Sequence, residues 1–574
     1  MILQALKGYY DRKAADPDGG IAPLGFEWRE IPFVIVIDEI GSLVQIEDTR
    51  HGDGKKKRAK AFLVPQGIKK TSGVAANLLW DVAGYVLGID TKGKPERVIE
   101  QQAAFASRLM GLPSDDSGVR AVKEFLARIP LEKLAASPAW EEVSTIDPVM
   151  TFRLQGDQEL VCQRPAVIQS LQSDKASTES VQAICLVSGE TTEIERLHPA
   201  IKGVWGAQTS GANVVSFNQR SFESYGKEQK QGENAPVGKV ASFAYTTALN
   251  HLLGKDSSQR IQVGDASTVF WADAPDELET GFLDLFGEPS KDDPDRNVRA
   301  VESLYRSVET GSFAIDSDTT RFFVLGLAPN AARIAVRFWQ TGTVAEFAGR
   351  IRQHFDDLKI DRAPYDPPYL SLFRLLVNTA TLGKADNIPP NMAGDTMRAI
   401  LAGLPYPASL LQAAVRRIRA EQEVNCARAA LIKACINRAS RFKNQQEDIT
   451  VSLDTANPNP AYRLGRLFAV LEKIQEAANP GLNATIRDRF YGAASSSPVT
   501  VFANLMKLKN HHLAKLSEGY KVYYEKLIGE IMSELSDFPA QLPLAEQGRF
   551  AIGYYHQQRA FYTKTEQPQP EQGA

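Results

Sequence analysis

The side chains able to do chemistry are scattered along this sequence instead of clustered. Its seven histidines stand at 51, 198, 251, 354, 511, 512 and 556, with no His-Asp pair and no H-E-x-x-H. No serine occupies a G-x-S-x-G elbow. Cys162, Cys185, Cys426 and Cys435 form no C-x-x-C pair, so neither a zinc site nor a dithiol motif is supported. His511-His512 adjoin Lys507, Lys509 and Asn510 and read as a polar helix face. GIDTKGKP (88–95) has the G-x-x-x-x-G-K spacing of a P-loop, but Pro95 stands where magnesium needs Ser or Thr. FVIVIDE (33–39), an apolar run ending in Asp-Glu, precedes that motif, and Asp81-x-x-Gly84 falls in text that reads as helix. We expect no catalytic residue, no metal and no cofactor. A nucleotide-driven enzyme built on Lys94 stays as the alternative.

Basic and polar surface is the signal that survives. HGDGKKKRAK (51–60) carries Lys55, Lys56, Lys57, Arg58 and Lys60, and Lys69 and Lys70 follow after one strand. A second patch runs from 398 to 443: Arg398, Arg416, Arg417, Arg419, Arg428, Lys433, Arg438, Arg441 and Lys443, against Glu421 and Glu423. Spread over helices, these can form a basic face for a phosphate backbone. Between them lies GVWGAQTSGANVVSFNQRSFESYGKEQ (203–229), a Gly-rich loop with Trp205, Gln208, Thr209, Ser210, Asn213, Asn218 and Gln219. Amide and hydroxyl side chains on such a loop can approach base edges, above all in a minor groove. Lys+Arg 66 against Asp+Glu 69 gives a net charge of −3, which averages these patches with an acidic, solvated-looking loop at 273–295. A purely structural scaffold, whose basic patches hold RNA or neighbouring subunits, is the competing reading.

The elements that must position these residues make an α+β chain: an N-terminal mixed α/β body followed by a C-terminal all-α helical bundle. FVIVID (33–38) and SLVQIEDT (42–49) read as a hairpin, followed by the strand AFLVP. Leu78, Val82, Tyr85 and Ile89 predict helix within 72–138. Strands return at 148–154, 182–188 and RFFVLGL (321–327), and VASFAYTTALNHLL reads as helix. The expected domains are an α+β body at 1–382, a linker with basic helices at 383–456, a helical bundle at 457–562 and a disordered tail at 563–574. Asn459-Pro460 suits a helix start, and Asn479-Pro480-Gly481 and Phe538-Pro539 separate helices. Stripes at Tyr520, Tyr523, Tyr524, Leu527, Ile528 and Ile531, and at Phe550, Tyr554 and Phe561, face the bundle core. With no run near the ~20 apolar residues of a membrane helix and no signal-peptide core, the expected location is a reducing cytoplasm.

GAQTSGANVVSFNQRSFESYGKEQ and ENAPVGKVASFAYTTALNHLL (233–253) resemble the large subunit of the type I-C CRISPR Cascade complex. The start MILQALKGYYDR fits the same family, as do LVPQGIKKTSGVAANLLWDVAGYVLGI (63–89), ICLVSGETTEIERLHPAIKGV (184–204), DTTRFFVLGLAPNAARIAVRFW (318–339) and NPNPAYRLGRLFAVLEKIQ (457–475). The resemblance implies a non-catalytic subunit of an antiviral, crRNA-guided complex. It would check a protospacer-adjacent motif in double-stranded DNA, help unwind the target, stabilise the R-loop and recruit a helicase–nuclease. Related subunits use a glycine loop, a lysine and an inserted glutamine. Here Gly206, Gln208, Ser210, Gly211 and Asn213 would supply the loop and the wedge, and Lys69 or Lys70 with Thr71, Ser72 and Asn77 the lysine device. Lys55, Lys56, Lys57 and Arg58 would meet duplex phosphates. Arg416, Arg417, Arg419 and the helices after Tyr462 would line the displaced strand. Implied partners are target DNA, crRNA, the Cascade backbone and crRNA-processing subunits, the helicase–nuclease, and a small subunit made by internal translation. Met392, Met397 or a non-Met codon at Val451 would start that product, and Val451 encloses the bundle most neatly.

Overall fold

The computed structural model describes residues 1–52, 57–68, 73–173, 181–227, 230–288, 292–293, 295–310, 319–447 and 449–563. By packing, the chain divides into two units. One comprises Met1–Ile201 with Ser210–His251, the other Lys202–Thr209 with Leu252–Ala574.

The first unit opens with a helix, Ile2–Ala15, followed by β1 (Phe26–Glu30), β2 (Phe33–Ile37), β3 (Leu43–Asp48), β4 (Ala61–Pro65), β5 (Trp80–Val82) and β6 (Val149–Leu154). β1 pairs antiparallel with β4, and the larger sheet runs β3-β2-β6-β5 with β2 and β6 parallel. Central β2 is buried at every position, as its unbroken apolar text requires. The expected hairpin forms. Asp38 Oδ1 accepts from Ser42 N at 2.7 Å, and Gly41 takes φ +81, where a side chain would also press on the Ala121 carbonyl. The helices Pro95–Leu109 and Ser117–Ala127 cover this sheet, with Phe125 edge-on to Phe152 at 5.7 Å.

The stripe Leu78, Val82, Tyr85, Ile89 is not one helix face. Leu79 is left-handed (φ +63), β5 pairs with β6, and only Ala83–Val86 turns as helix before Pro95. Asp81 Oδ2 accepts from Asn77 N, and the Thr151 hydroxyl donates to the Leu79 carbonyl, so β6 fixes a backbone that periodicity assigns to helix. GIDTKGKP therefore lies between two helices, not after a strand. Lys92 pairs with Asp147 at 3.2 Å and Pro95 opens the next helix. A small hairpin, β7 (Gln182–Ile184) and β8 (Thr191–Glu193), and the expected helix Lys239–Leu252 complete the unit.

The second unit is built on an antiparallel sheet, β12-β11-β10-β9. Its strands are β9 (Arg260–Val263), β10 (Ala266–Ala272), β11 (Arg321–Asn330) and β12 (Arg333–Thr343). The acidic text at 273–295 is more than a solvated loop. It contains the helix Leu278–Phe286, whose Phe282 packs on Phe270 with centroids 4.5 Å apart. Buried Glu279 accepts from Ala272 N and the Gln259 amide. Among the described residues eight α-helices follow the composition change: Pro390–Ala402, Ala408–Glu421, Cys426–Phe442, Pro460–Ala478, Ile486–Ala494, Phe502–Leu513, Glu518–Met532 and Leu544–Tyr562. One apolar core runs from Ile261 of β9 to Tyr555 of the last helix. Among the described residues the last strand ends at Thr343, forty residues before the composition shift at 383, and the core continues across that shift. As Asn459-Pro460 predicts, the Asn459 side chain accepts from Tyr462 N at 3.0 Å and opens the helix. Pro460–Ala478 and Leu544–Tyr562 meet at two glycines. A Cβ on Gly465 would overlap the Phe550 carbonyl, and one on Gly553 the Tyr462 carbonyl. Among the described residues no helix is long and apolar enough to cross a membrane. The expected tail lies, from 564 onward, outside the described residues.

Candidate nucleic-acid interface

The Gly-rich loop is presented by a short anchored turn. Gly203 (φ +85) and Gly206 (φ +77) bracket Val204, which is buried, and Trp205, which is 63% exposed. A side chain on Gly203 would meet the Leu253 carbonyl at 2.7 Å, so no larger residue fits there. Trp205 N donates to Ser267 Oγ at 2.9 Å and Ala207 N to the Val204 carbonyl, fixing the turn from both sides. Beyond it Gln208, Thr209 and Ser210 are exposed, and Gly211 (φ +92) ends the run. The loop crosses the division between the units, Gly206 and Gln208 belonging to the second and Ser210, Gly211 and Asn213 to the first.

Two expected contact residues are occupied elsewhere. Asn213 is half-buried and its amide donates to the carbonyls of His198 (3.0 Å) and Pro199 (3.2 Å), which ties down the loop's far end. Asn77 is buried, its oxygen accepting from Ile68 N at 2.9 Å. Both act as scaffold in this fold. Lys55, Lys56, Lys69, Lys70, Thr71 and Ser72 lie outside the described residues. Of the same basic run, Lys57 is exposed, and Arg58 is exposed and paired with Glu30 at 3.0 Å.

The basic face expected from 398 to 443 is divided: Arg428, Lys433 and Arg438 are buried, Arg417 and Arg441 half-buried, and Arg398, Arg416, Arg419 and Lys443 exposed. Arg428 pairs with Glu421 and donates to the Asn378 and Glu423 carbonyls. Arg438 pairs with buried Asp357 at 3.1 Å and donates to the carbonyls of Leu404 and Ala399. Arg441 pairs with Asp357 and Glu447, which holds its guanidinium above the ordinary arginine range. Lys433 donates to the Asp357 carbonyl, and burial pushes its ammonium below the usual lysine range. Arg428, Lys433 and Arg438 are thus engaged inside the fold, and Arg441 is half-buried beside them. Arg416 and Arg419 are exposed one turn apart on Ala408–Glu421, and half-buried Arg417 pairs with Glu421 at 3.3 Å.

Each unit also exposes aromatic rings, some of which periodicity placed inside. On Glu518–Met532, Tyr524, Ile528 and Ile531 are buried, but Tyr520 and Tyr523 are 60% and 52% exposed. With Lys473 they border a groove of about 490 Å³. Lys473 Nζ stands 4.8 Å over the ring of Tyr562, itself 69% exposed. On the Gly-rich loop Tyr225 is 97% exposed, a residue that composition alone does not distinguish from its polar neighbours. Exposed Tyr520, Tyr523 and Tyr562 thus stand beside half-buried Lys473. Among the described residues, no group of three or more His, Cys, Asp or Glu could hold a metal ion.

The model of the CRISPR-associated protein (Cas_Csd1) family matches residues 6–562. Among curated proteins nothing matches.

Proposed function

The chain belongs to the CRISPR-associated Cas_Csd1 family, large subunits of type I-C Cascade and part of antiviral defence, and from that premise we propose that it reads a motif flanking the target in duplex DNA. The observation that carries this reading is exposed Gln208, two residues beyond left-handed Gly206 on a turn rooted by Val204 and Ser267. A rigid glycine turn brings backbone close to a groove floor, and an amide offers a donor to the acceptors of every minor-groove base pair. Ser210 and Gly211 follow on the same exposed stretch. Lys57 and Arg58, with Lys55, Lys56, Lys69 and Lys70, hold duplex phosphates. Arg416 and Arg419, with the tyrosines of Glu518–Met532, hold the displaced strand once the R-loop opens.

In this reading the subunit is non-catalytic. It works in the cytoplasm with crRNA, the backbone and processing subunits and a small subunit, and it recruits the helicase–nuclease. Sequence is read by base pairing and the flank by protein. The test compares targets that differ only in the flank, bound by the assembled complex carrying wild-type chain or Gln208→Ala. Selective weakening on the correctly flanked target supports the reading. Equal binding to all flanks by wild type would favour the structural scaffold.

A further inference from the structure

The second unit contains a cavity of about 850 Å³ that flank reading does not use. Its floor is apolar: Val263 of β9, Leu283 and Phe286 of Leu278–Phe286, and Leu376 of the helix Leu372–Val377. Two large rings stand at the mouth in water, Trp205 at 63% and Phe373 at 38% exposure. Exposed apolar rings over an apolar cavity of this size are the usual form of a pocket that receives a bulky side chain.

The charges decide which class of molecule enters. Asp265, Asp284, Glu288 and Asp386 line the cavity against Arg260 and Arg296. Arg296 is held by Asp284 at 2.7 Å, and Arg260 donates to the Leu253 carbonyl at 2.9 Å. Asp265 and Glu288 are in turn paired with Arg337 and Arg374. Asp386 is exposed, and just before Arg296 the chain carries exposed Asp292 and Asp295, while Asp293 is paired with Arg299. An entering phosphate would meet carboxylates or guanidiniums already engaged, which disfavours nucleic acid.

We propose that this cavity docks a protein partner, which inserts a bulky apolar side chain and sets a lysine- or arginine-bearing flank against Asp386, Asp292 and Asp295. Trp205 belongs both to this mouth and to the turn that presents Gln208, so the partner touches the base of the reading loop.

A random dodecapeptide display library, selected on the full chain and counter-selected on Phe373→Asp, tests the proposal. The expected enrichment is a bulky apolar residue beside Lys or Arg. A synthetic peptide of that sequence should bind about tenfold more weakly to Phe373→Asp. Asp386→Lys, at an exposed position, should weaken it similarly and keeps the test valid if Phe373→Asp fails to fold, as a melting curve would reveal. Neither variant should change the binding of flanked DNA by the complex. No enrichment, enrichment of acidic flanks, undiminished binding to both variants, or displacement of the peptide by a short single-stranded oligonucleotide would overturn it.

Discussion

Gly465→Ala adds one methyl group where two helices touch backbone to backbone. Besides overlapping the Phe550 carbonyl oxygen, the new Cβ would stand 2.8 Å from Tyr554 N and 2.9 Å from the Phe550 carbonyl carbon. Comfortable contacts lie near ~3.5 Å and the Phe550 oxygen is the nearest neighbour, so the helices must part by more than ~1 Å along a seam with no rotatable side chain to yield. Overpacking costs about 1–3 kcal/mol, and a rigid backbone neighbour places this case near ~3. Alanine's higher helix propensity returns ~1 kcal/mol, leaving a net loss of about 2 kcal/mol. Gly529→Ala provides the control. It lies on the exposed side of Glu518–Met532 with nothing within 4 Å of the added carbon, so it should stabilise its helix by up to ~1 kcal/mol. Because the chain has two units, a single melting curve is a poor gauge. Amide hydrogen exchange in peptides from 460–478 and 544–562 reads the seam directly. A loss of 2 kcal/mol corresponds to about thirtyfold faster exchange there. Exchange in Gly465→Ala equal to or slower than wild type would refute the packing argument.

Gln208→Ala should cost about 1–3 kcal/mol of binding on the correctly flanked target and little on nonspecific DNA; equal losses on both would remove the reading role. Arg416→Ala with Arg419→Ala should weaken binding to all DNA and reduce the slope of log K against log salt by up to about 2, whereas an unchanged slope would place both arginines away from phosphate. A product starting at Val451 lacks Cys426–Phe442, which packs Ile436 against Gly548, and it lacks Asp361, whose carbonyl accepts from Tyr555 OH at 2.8 Å. It should therefore self-associate in light scattering unless a partner covers that face, and a monodisperse monomer would contradict this. Burial pulls His354 to about 3 and His556 to about 4, helped by Arg438 and Lys433 respectively. Below pH 6.5 the unfolded chain then binds protons that the native chain refuses. Stability of the second unit should fall between about pH 6.5 and 4, by up to ~1.4 kcal/mol per pH unit for each group. Amide-exchange protection factors in peptides from 544–562 should fall less steeply with pH in His556→Gln than in wild type, and identical pH dependence would refute it.

Local signals carried much of the fold. The hairpin of β2 and β3 shows in an apolar run, an Asp-to-Gly turn and a second run; the helix opening at Asn459-Pro460 shows in its cap. Periodicity failed where distant residues intervene. Leu78 to Ile89 has helical spacing, yet β6, some 70 residues on, claims its backbone as a strand. Arg438 reads as surface until Asp357, 81 residues earlier, is found beside it. Asn213 has the chemistry of a base reader, but the carbonyls at 198 and 199 engage its amide. The exposed Gly-rich turn was legible because two glycines, a tryptophan and a run of short polar residues serve no core. The cavity beside it was not, since its walls come from stretches more than 100 residues apart.

Neither unit is encoded by an uninterrupted stretch. The chain passes from one to the other at 201/202, back at 209/210 and over again at 251/252. A single crossover between homologous genes therefore cannot exchange one unit intact: a join at residue 252 would leave a borrowed body holding another lineage's 202–209 turn against its own Ser267 and Leu253. Drift in the loop and drift in the strand that pins it must be inherited together. Chimaeras built to test the proposed flank reading should accordingly graft the turn with β9 and β10, or leave all three in place.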